Sequence, residues 1–208
     1  EISACLVGSE MCIRDSYFLF AIAFLGTSIF GPEFESELHL PGEVSSIIFW
    51  SLFVVGDIIA ILTIDKWGRR TDTLIGWAGM TATMLALILL PRSNYIGLEL
   101  AFTLFAMFQG IGPASTHMVY SPELFPTRIR ATAEGWKQGV GRLGGVLTGV
   151  FFPAISLDEK LYIIFAASLL GLIWSLALAK ETKGKSLEEI SEKIGGEKVG
   201  NKIKSLKN

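Results

Sequence analysis

Cysteine is nearly absent from this 208-residue sequence: Cys5 and Cys12 both fall in the first sixteen residues, which excludes a disulfide framework and a thiolate metal site. Histidine is as scarce, with only His39 and His117, and no metal-ligand spacing or nucleophile-base arrangement surrounds either. No metal, cofactor or enzymatic activity is therefore expected. A phosphate-cradling loop of the Gly-rich Lys-Ser/Thr type is also missing, so the chain cannot couple to ATP hydrolysis by itself. Charge is low: 18% of residues are Asp, Glu, Lys or Arg, against about 25% in a soluble domain. The net charge of −2 leaves no basic excess to neutralise phosphates, which removes nucleic acid as a partner.

What the sequence has in quantity is apolar length. Half of the residues are hydrophobic, and the mean hydropathy is +0.50. Six stretches are almost free of charge: Tyr17 to Pro32, Val44 to Ile64, Thr73 to Leu90, Leu100 to Tyr120, Gln138 to Leu157 and Leu161 to Ala179. Asp57 and Arg142 are the only formal charges inside them. About 20 apolar residues at 1.5 Å rise cross a hydrocarbon core of roughly 30 Å. The pattern predicts an all-α integral membrane protein with six transmembrane helices over residues 17–32, 44–64, 73–90, 97–120, 135–157 and 161–179, the first of them short.

Lys and Arg sort between the two sets of connections. Lys66, Arg69 and Arg70 follow the second helix, Arg128 and Arg130 follow the fourth, and the tail is rich in lysine. The opposite connections carry only Arg92 and Lys160, with Glu33, Glu35, Glu37 and Glu43 crowding the first. This asymmetry predicts a multi-pass protein of the cell membrane with both termini cytoplasmic. Residues 1–16 have too short an apolar core for a signal peptide and read as a non-native leader. Residues 17–179 form the membrane domain. The tail, 180–208, places Leu187, Ile190 and Ile194 at helical spacing, predicting a short amphipathic cytosolic helix.

An odd number of crossings makes the second triple of helices run oppositely to the first, the arrangement of a 3+3 inverted repeat. The third and sixth helices lack charged, Asn, Gln or His residues and are expected to face lipid. The second, fourth and fifth contain Asp57, Gln109, His117 and Arg142, and are expected to line a wet cavity.

Three motifs stand at the cytoplasmic turns. Asp65-Lys66-Trp67-Gly68-Arg69-Arg70 joins the second and third helices. Pro122-Glu123-Leu124-Phe125-Pro126-Thr127-Arg128-Ile129-Arg130 joins the fourth and fifth, and Glu181-Thr182-Lys183-Gly184-Lys185 follows the sixth. In this order the motifs resemble the C-terminal half of the sugar-porter and phosphate-symporter branches of the major facilitator superfamily. The resemblance implies a rocker-switch transporter of two six-helix halves, this chain supplying one and its N-terminal six-helix partner half missing. It also implies a cytoplasmic latch: Arg69 and Arg70, next to Asp65, pair with Glu123, supported by Arg128, Arg130 and Glu181. Ile61 departs from the first motif, which usually has glycine there.

The glycines of the fourth and fifth helices complete the list of candidates. Gly110-Ile111-Gly112-Pro113 predicts a kink or unwound point. Gly141 and Gly145, among glycines spaced four apart, permit close helix approach; together with Gly110 and Gly112 they read as gating positions or as static packing. Arg142 and Asp57 each lie roughly 10–12 Å from the cytoplasmic end by helical rise. Arg142 reads as an anion contact with Asp57 as proton carrier, or the two as a structural ion pair. His117 reads as a proton-coupling group or a structural hydrogen-bonding one, and Gln109 as a cavity donor or a helix-helix bond. Lys137 is expected to snorkel to the cytosol.

Substrate patterns of the resembled branches are incomplete. Arg142 stands where phosphate symporters have lysine, but their first-helix aspartate corresponds to Ala21 and their asparagine after Gly-Pro to Ala114. The glutamine pair and asparagine of sugar porters are missing from Phe18 to Phe30, and their tryptophan aligns near Met118. The expected function is secondary active transport of a small solute across the lipid bilayer by alternating access, proton-coupled, with phosphate or carboxylate ahead of sugar. The alternative is a standalone six-helix protein acting as a homodimeric channel or regulatory module.

Overall fold

The computed structural model describes residues 9–37, 42–124 and 130–178, with side chains for 16–36, 43–119 and 130–177. Among these residues the chain forms α1 (Ser9–Glu37), α2 (Gly42–Trp67), α3 (Arg69–Leu89), α4 (Tyr95–Gln109), α5 (Ser115–Leu124), α6 (Arg130–Phe151) and α7 (Leu157–Leu178). A π-helical turn, Gly110–Ala114, fuses α4 and α5 into one bent rod, and a 3₁₀ turn, Phe152–Ala154, closes α6. In hydrocarbon every backbone N–H and C=O must be satisfied within the segment, which is why such apolar runs become helices. Ser16–Ser36, Glu43–Trp67, Arg69–Leu89, Tyr95–Val119 and Leu157–Ala177 are long and apolar enough to cross a membrane. α6 has 22 residues but falls outside that set, because Arg130, Glu134, Lys137 and Arg142 interrupt it.

Local chemistry sets the helix ends. Gly68 takes φ 93°, a backbone conformation closed to most side chains, and separates α2 from α3 within one residue. Asn94 caps α4 by accepting the Gly97 N–H at 3.1 Å. Pro153 stands in the turn that stops α6. Ser156 and Glu159 open α7 as a capping box, with the Glu159 carboxylate accepting the Ser156 N–H at 2.8 Å.

The helices pack in the order α6–α1–α7–α3–α4–α2, so α2 and α6 are the two ends of the series. α3 and α7 form its middle: Trp77 of α3 is fully buried against Gly171 of α7, with Met80, Met84 and Ile164 around it. The expectation that the third and sixth helices only face lipid is thus half of the picture. α7 exposes Tyr162, Leu170 and Ile173 on one side, but its other side and one face of α3, with Trp77, Met80, Met84 and Leu87, are core. Polarity alone cannot separate an apolar helix in lipid from one in a protein interior, since both surroundings are apolar.

Two glycine contacts bring the bent rod onto its neighbours. A Cβ on Gly56 would collide with the Met107 carbonyl, and one on Gly76 with the backbone of Gly112, so α2 and α3 touch the rod backbone to backbone. At the end of the bundle opposite the Asp65–Arg70 turn, polar ties join the helices. Lys160 of α7 is buried and pairs with Glu33 of α1, Arg92 pairs with Asp158, and Ser45 of α2 donates to Glu99 of α4 at 2.7 Å.

Candidate functional site

Between α1, α2, α5 and α6 lies a cavity of about 890 Å³. One wall is aromatic: Phe20 stacks on Phe24 at 5.4 Å between ring centroids, and Phe24 meets Phe53 at 5.8 Å. The polar lining of the cavity is Tyr17, Asp57, Ser115, Gln138 and Arg142. Gly141 also lines the cavity; a Cβ there would strike the Tyr17 ring, so the glycine lets α1 and α6 close behind the tyrosine.

Asp57 and Arg142 share the cavity without forming an ion pair. The Asp57 carboxylate instead accepts the Ser115 hydroxyl at 2.7 Å. The same hydroxyl also lies 2.9 Å from the Gly110 carbonyl, inside the π-helical turn. Pro113 has no N–H to give to the helix ladder, and within the turn the Gly112 carbonyl accepts both the Ser115 N–H and, at 2.7 Å, the Thr116 hydroxyl. Gly110 and Gly112 sit where the turn meets the backbones of α2 and α3. On α6, Gly145 meets Leu25 of α1, whereas Gly135, Gly139 and Gly149 have nothing within 4 Å of a Cβ position.

His117 and Gln109 stand away from the cavity surface. His117 is buried behind it, its ring edge-on to Tyr17 at 5.4 Å and its Nε2 3.5 Å from the Ser16 hydroxyl. Gln109 is fully buried where α4 enters the turn. Lys137 does not snorkel. It is 2% exposed, pairs with Glu134 at 2.6 Å, donates to the His117 carbonyl at 2.9 Å and lies over the Tyr17 ring. The Tyr17 hydroxyl donates to Gln138 Oε1 at 2.8 Å, so these contacts strap α1, α5 and α6 together beside the cavity. Sequence reading passed over Ser115, Tyr17 and Gln138. The available signal was the polar run Ser115-Thr116-His117 one residue after Gly-Pro, in a stretch otherwise apolar.

At the Asp65–Arg70 turn, Arg69 pairs with Asp65 at 2.9 Å and Arg70 donates to the Leu176 carbonyl of α7 at 3.3 Å. Asp72, also missed in the sequence, is buried there and accepts the Thr63 hydroxyl at 3.1 Å. The side chain of Glu123, together with Arg128, Glu181 and the amphipathic tail segment, lies outside the described residues, as does the first half of the 1–16 leader.

Residues 19–194 match the family described as "Sugar (and other) transporter". The chain belongs to that family. It is thereby a multi-pass membrane protein of the major facilitator superfamily. Among curated relatives, the inorganic phosphate transporter 1-6 of Oryza sativa subsp. japonica is 33% identical over 178 residues, covering 74% of this chain and 33% of the relative. The low affinity inorganic phosphate transporter 1 of Petunia hybrida is 28% identical over 219 residues, covering 88% and 41%. In fold, the chain is similar to the xylose transporter XylE from E. coli in its inward open conformation, with a TM-score of 0.75 and 22% identity, over 89% of this chain and 42% of that one. The chain spans about a third to two fifths of the length of these relatives.

Proposed function

We propose that this chain is the C-terminal half of a proton-coupled secondary transporter that moves a small organic anion by alternating access. One observation carries the reading: Arg142 and Asp57 border the same cavity and leave each other unpaired. A guanidinium in an otherwise apolar bundle is retained at a cost of several kcal/mol unless water or an anion meets it. The aromatic wall of Phe20, Phe24 and Phe53 supports a solute with an apolar body and one carboxylate rather than inorganic phosphate, which needs donors on every side. The names of the phosphate-transporting relatives favour an anion, and that of the xylose transporter keeps sugar as the competing solute.

Around this site, the motifs at the Asp65–Arg70 turn act as the latch. Arg69 and Arg70 engage Glu123, with Arg130 and Glu181 in support, when the cavity faces outward, and rocking breaks those contacts.

The test is uptake into proteoliposomes by the complete transporter containing this chain, with benzoate, inorganic phosphate and xylose as probes under an inward proton gradient. Benzoate uptake is expected to exceed the others. Arg142→Gln should lower it at least about tenfold, the loss of a charge-assisted hydrogen bond, with unchanged protein in the membrane. Unaltered uptake by Arg142→Gln would remove the arginine from the site.

A further inference from the structure

The Ser115 hydroxyl has one hydrogen and two acceptors, Asp57 Oδ1 at 2.7 Å and the Gly110 carbonyl at 2.9 Å. A hydroxyl donates to one of them at a time. While Asp57 is ionised it is an acceptor only and competes for that hydrogen. Once protonated, it becomes a donor and can give its own hydrogen to Ser115 Oγ, which frees the serine hydrogen for Gly110. We propose that Asp57 is the proton-binding carboxylate of the transporter and that Ser115 relays its protonation state to the π-helical turn.

The step balances simply. A hydronium ion in the cavity loses a proton to Asp57, its O–H bond breaking as the carboxyl O–H bond forms and a water molecule is left, and the Ser115 hydroxyl turns from Asp57 to Gly110. The reverse path returns the proton to water as hydronium, and no other covalent bond is made or broken. The turn is placed to respond, because Gly110 packs directly on the backbone of Phe53 and Asp57, where a Cβ would not fit. Protonation therefore pins the bend of the α4–α5 rod, and deprotonation releases it. π-helical turns and proline sites are where long helices flex. Among the described residues, the other titratable or charged side chains bordering the cavity are Arg142 from α6 and Tyr17 from α1, and the side chain of α5 that meets the carboxylate is the hydroxyl of Ser115. His117 lies behind the wall, against Tyr17 and Phe20.

This inference deepens the transport reading, yet its test needs no solute. In the complete protein, amide hydrogen exchange of the segment around Gly110–Thr116 is followed across pH by mass spectrometry, corrected for the intrinsic pH dependence of exchange. In the parent protein, protection of the segment is expected to rise as pH falls. Asp57→Asn, which can donate to Ser115 at any pH, should hold the protected level throughout. Ser115→Ala should hold the unprotected level throughout, and Ser115→Thr should restore the dependence. A parent profile that persists in either Asp57→Asn or Ser115→Ala would overturn the relay. In the proteoliposome assay, Asp57→Asn is expected to lose gradient-driven accumulation of benzoate. Accumulation at the parent level would overturn the assignment of Asp57. A parent protein that moves none of the probes would count against the transport reading and leave the exchange result standing.

Discussion

The ammonium of Lys137 on α6 reaches the backbone carbonyl of His117 on α5, 2.9 Å away, from a position closed to solvent. A lysine on this helix could have extended to water; here its charge is spent on Glu134 and on one carbonyl of the neighbouring helix. Lys137→Met should lower thermal stability in detergent by about 1–3 kcal/mol, because it removes the cation that donates to the His117 carbonyl and pairs with Glu134, whose carboxylate keeps only weaker partners such as Gln138 at 3.3 Å. Lys137→Arg should recover part of that loss. A melting temperature unchanged in Lys137→Met would show that the strap contributes nothing to the fold.

Glu33 and Lys160 offer a test at the other end of the bundle. Lys160 is 1% exposed, and its ammonium lies over the Phe30 ring and pairs with Glu33. Glu33→Gln strands a buried cation and should cost about 2–4 kcal/mol, whereas Glu33→Gln with Lys160→Met removes both charges and should be the more stable of the two variants. Equal unfolding midpoints for single and double variants would contradict a buried pair.

Glycines in this chain should differ sharply in what they tolerate. Gly110→Ala drives a methyl into the backbone of α2 and is expected to destabilise the bundle by about 1–3 kcal/mol or to prevent its assembly. Gly139→Ala meets open space in this chain and should leave its folding intact. Comparable yields of folded protein for both variants, measured by size-exclusion chromatography, would contradict the close approach at Gly110.

The aromatic wall predicts solute choice. Phe24→Ala removes the ring between Phe20 and Phe53 and should weaken benzoate uptake about fivefold while leaving any phosphate uptake unchanged. Equal loss for both probes, read as KM and kcat separately, would make Phe24 a packing residue and nothing more.

Much of the architecture was legible because membrane helices announce themselves through length and lack of charge; Glu43–Trp67 carries only Asp57 between its polar ends. The bend at Gly110–Ala114 was legible as well, since Pro113 must break the ladder wherever it falls inside a helix. Contacts set by three-dimensional neighbours were not. Lys137 looked like a residue near a helix end, and nothing local reports that His117 lies across from it with a carbonyl to share. For Asp57 and Arg142 the sequence left open an ion pair or separate roles at a solute route, since both are deep and opposite in charge; the serine that takes the aspartate is fifty-eight residues away in sequence. The apolar character of α3 fitted lipid and protein interior equally, so Trp77 gave no hint that it anchors the middle of the bundle.

The tie between Glu33 and Lys160 joins helices separated in the chain by every other helix described. Glu33 is synthesised 127 residues ahead of Lys160 and enters the bilayer without its counter-ion. The end of the bundle opposite the Asp65–Arg70 turn therefore gains this tie only once translation has delivered α7, so α1 must tolerate an unmatched carboxylate for the whole of the intervening synthesis.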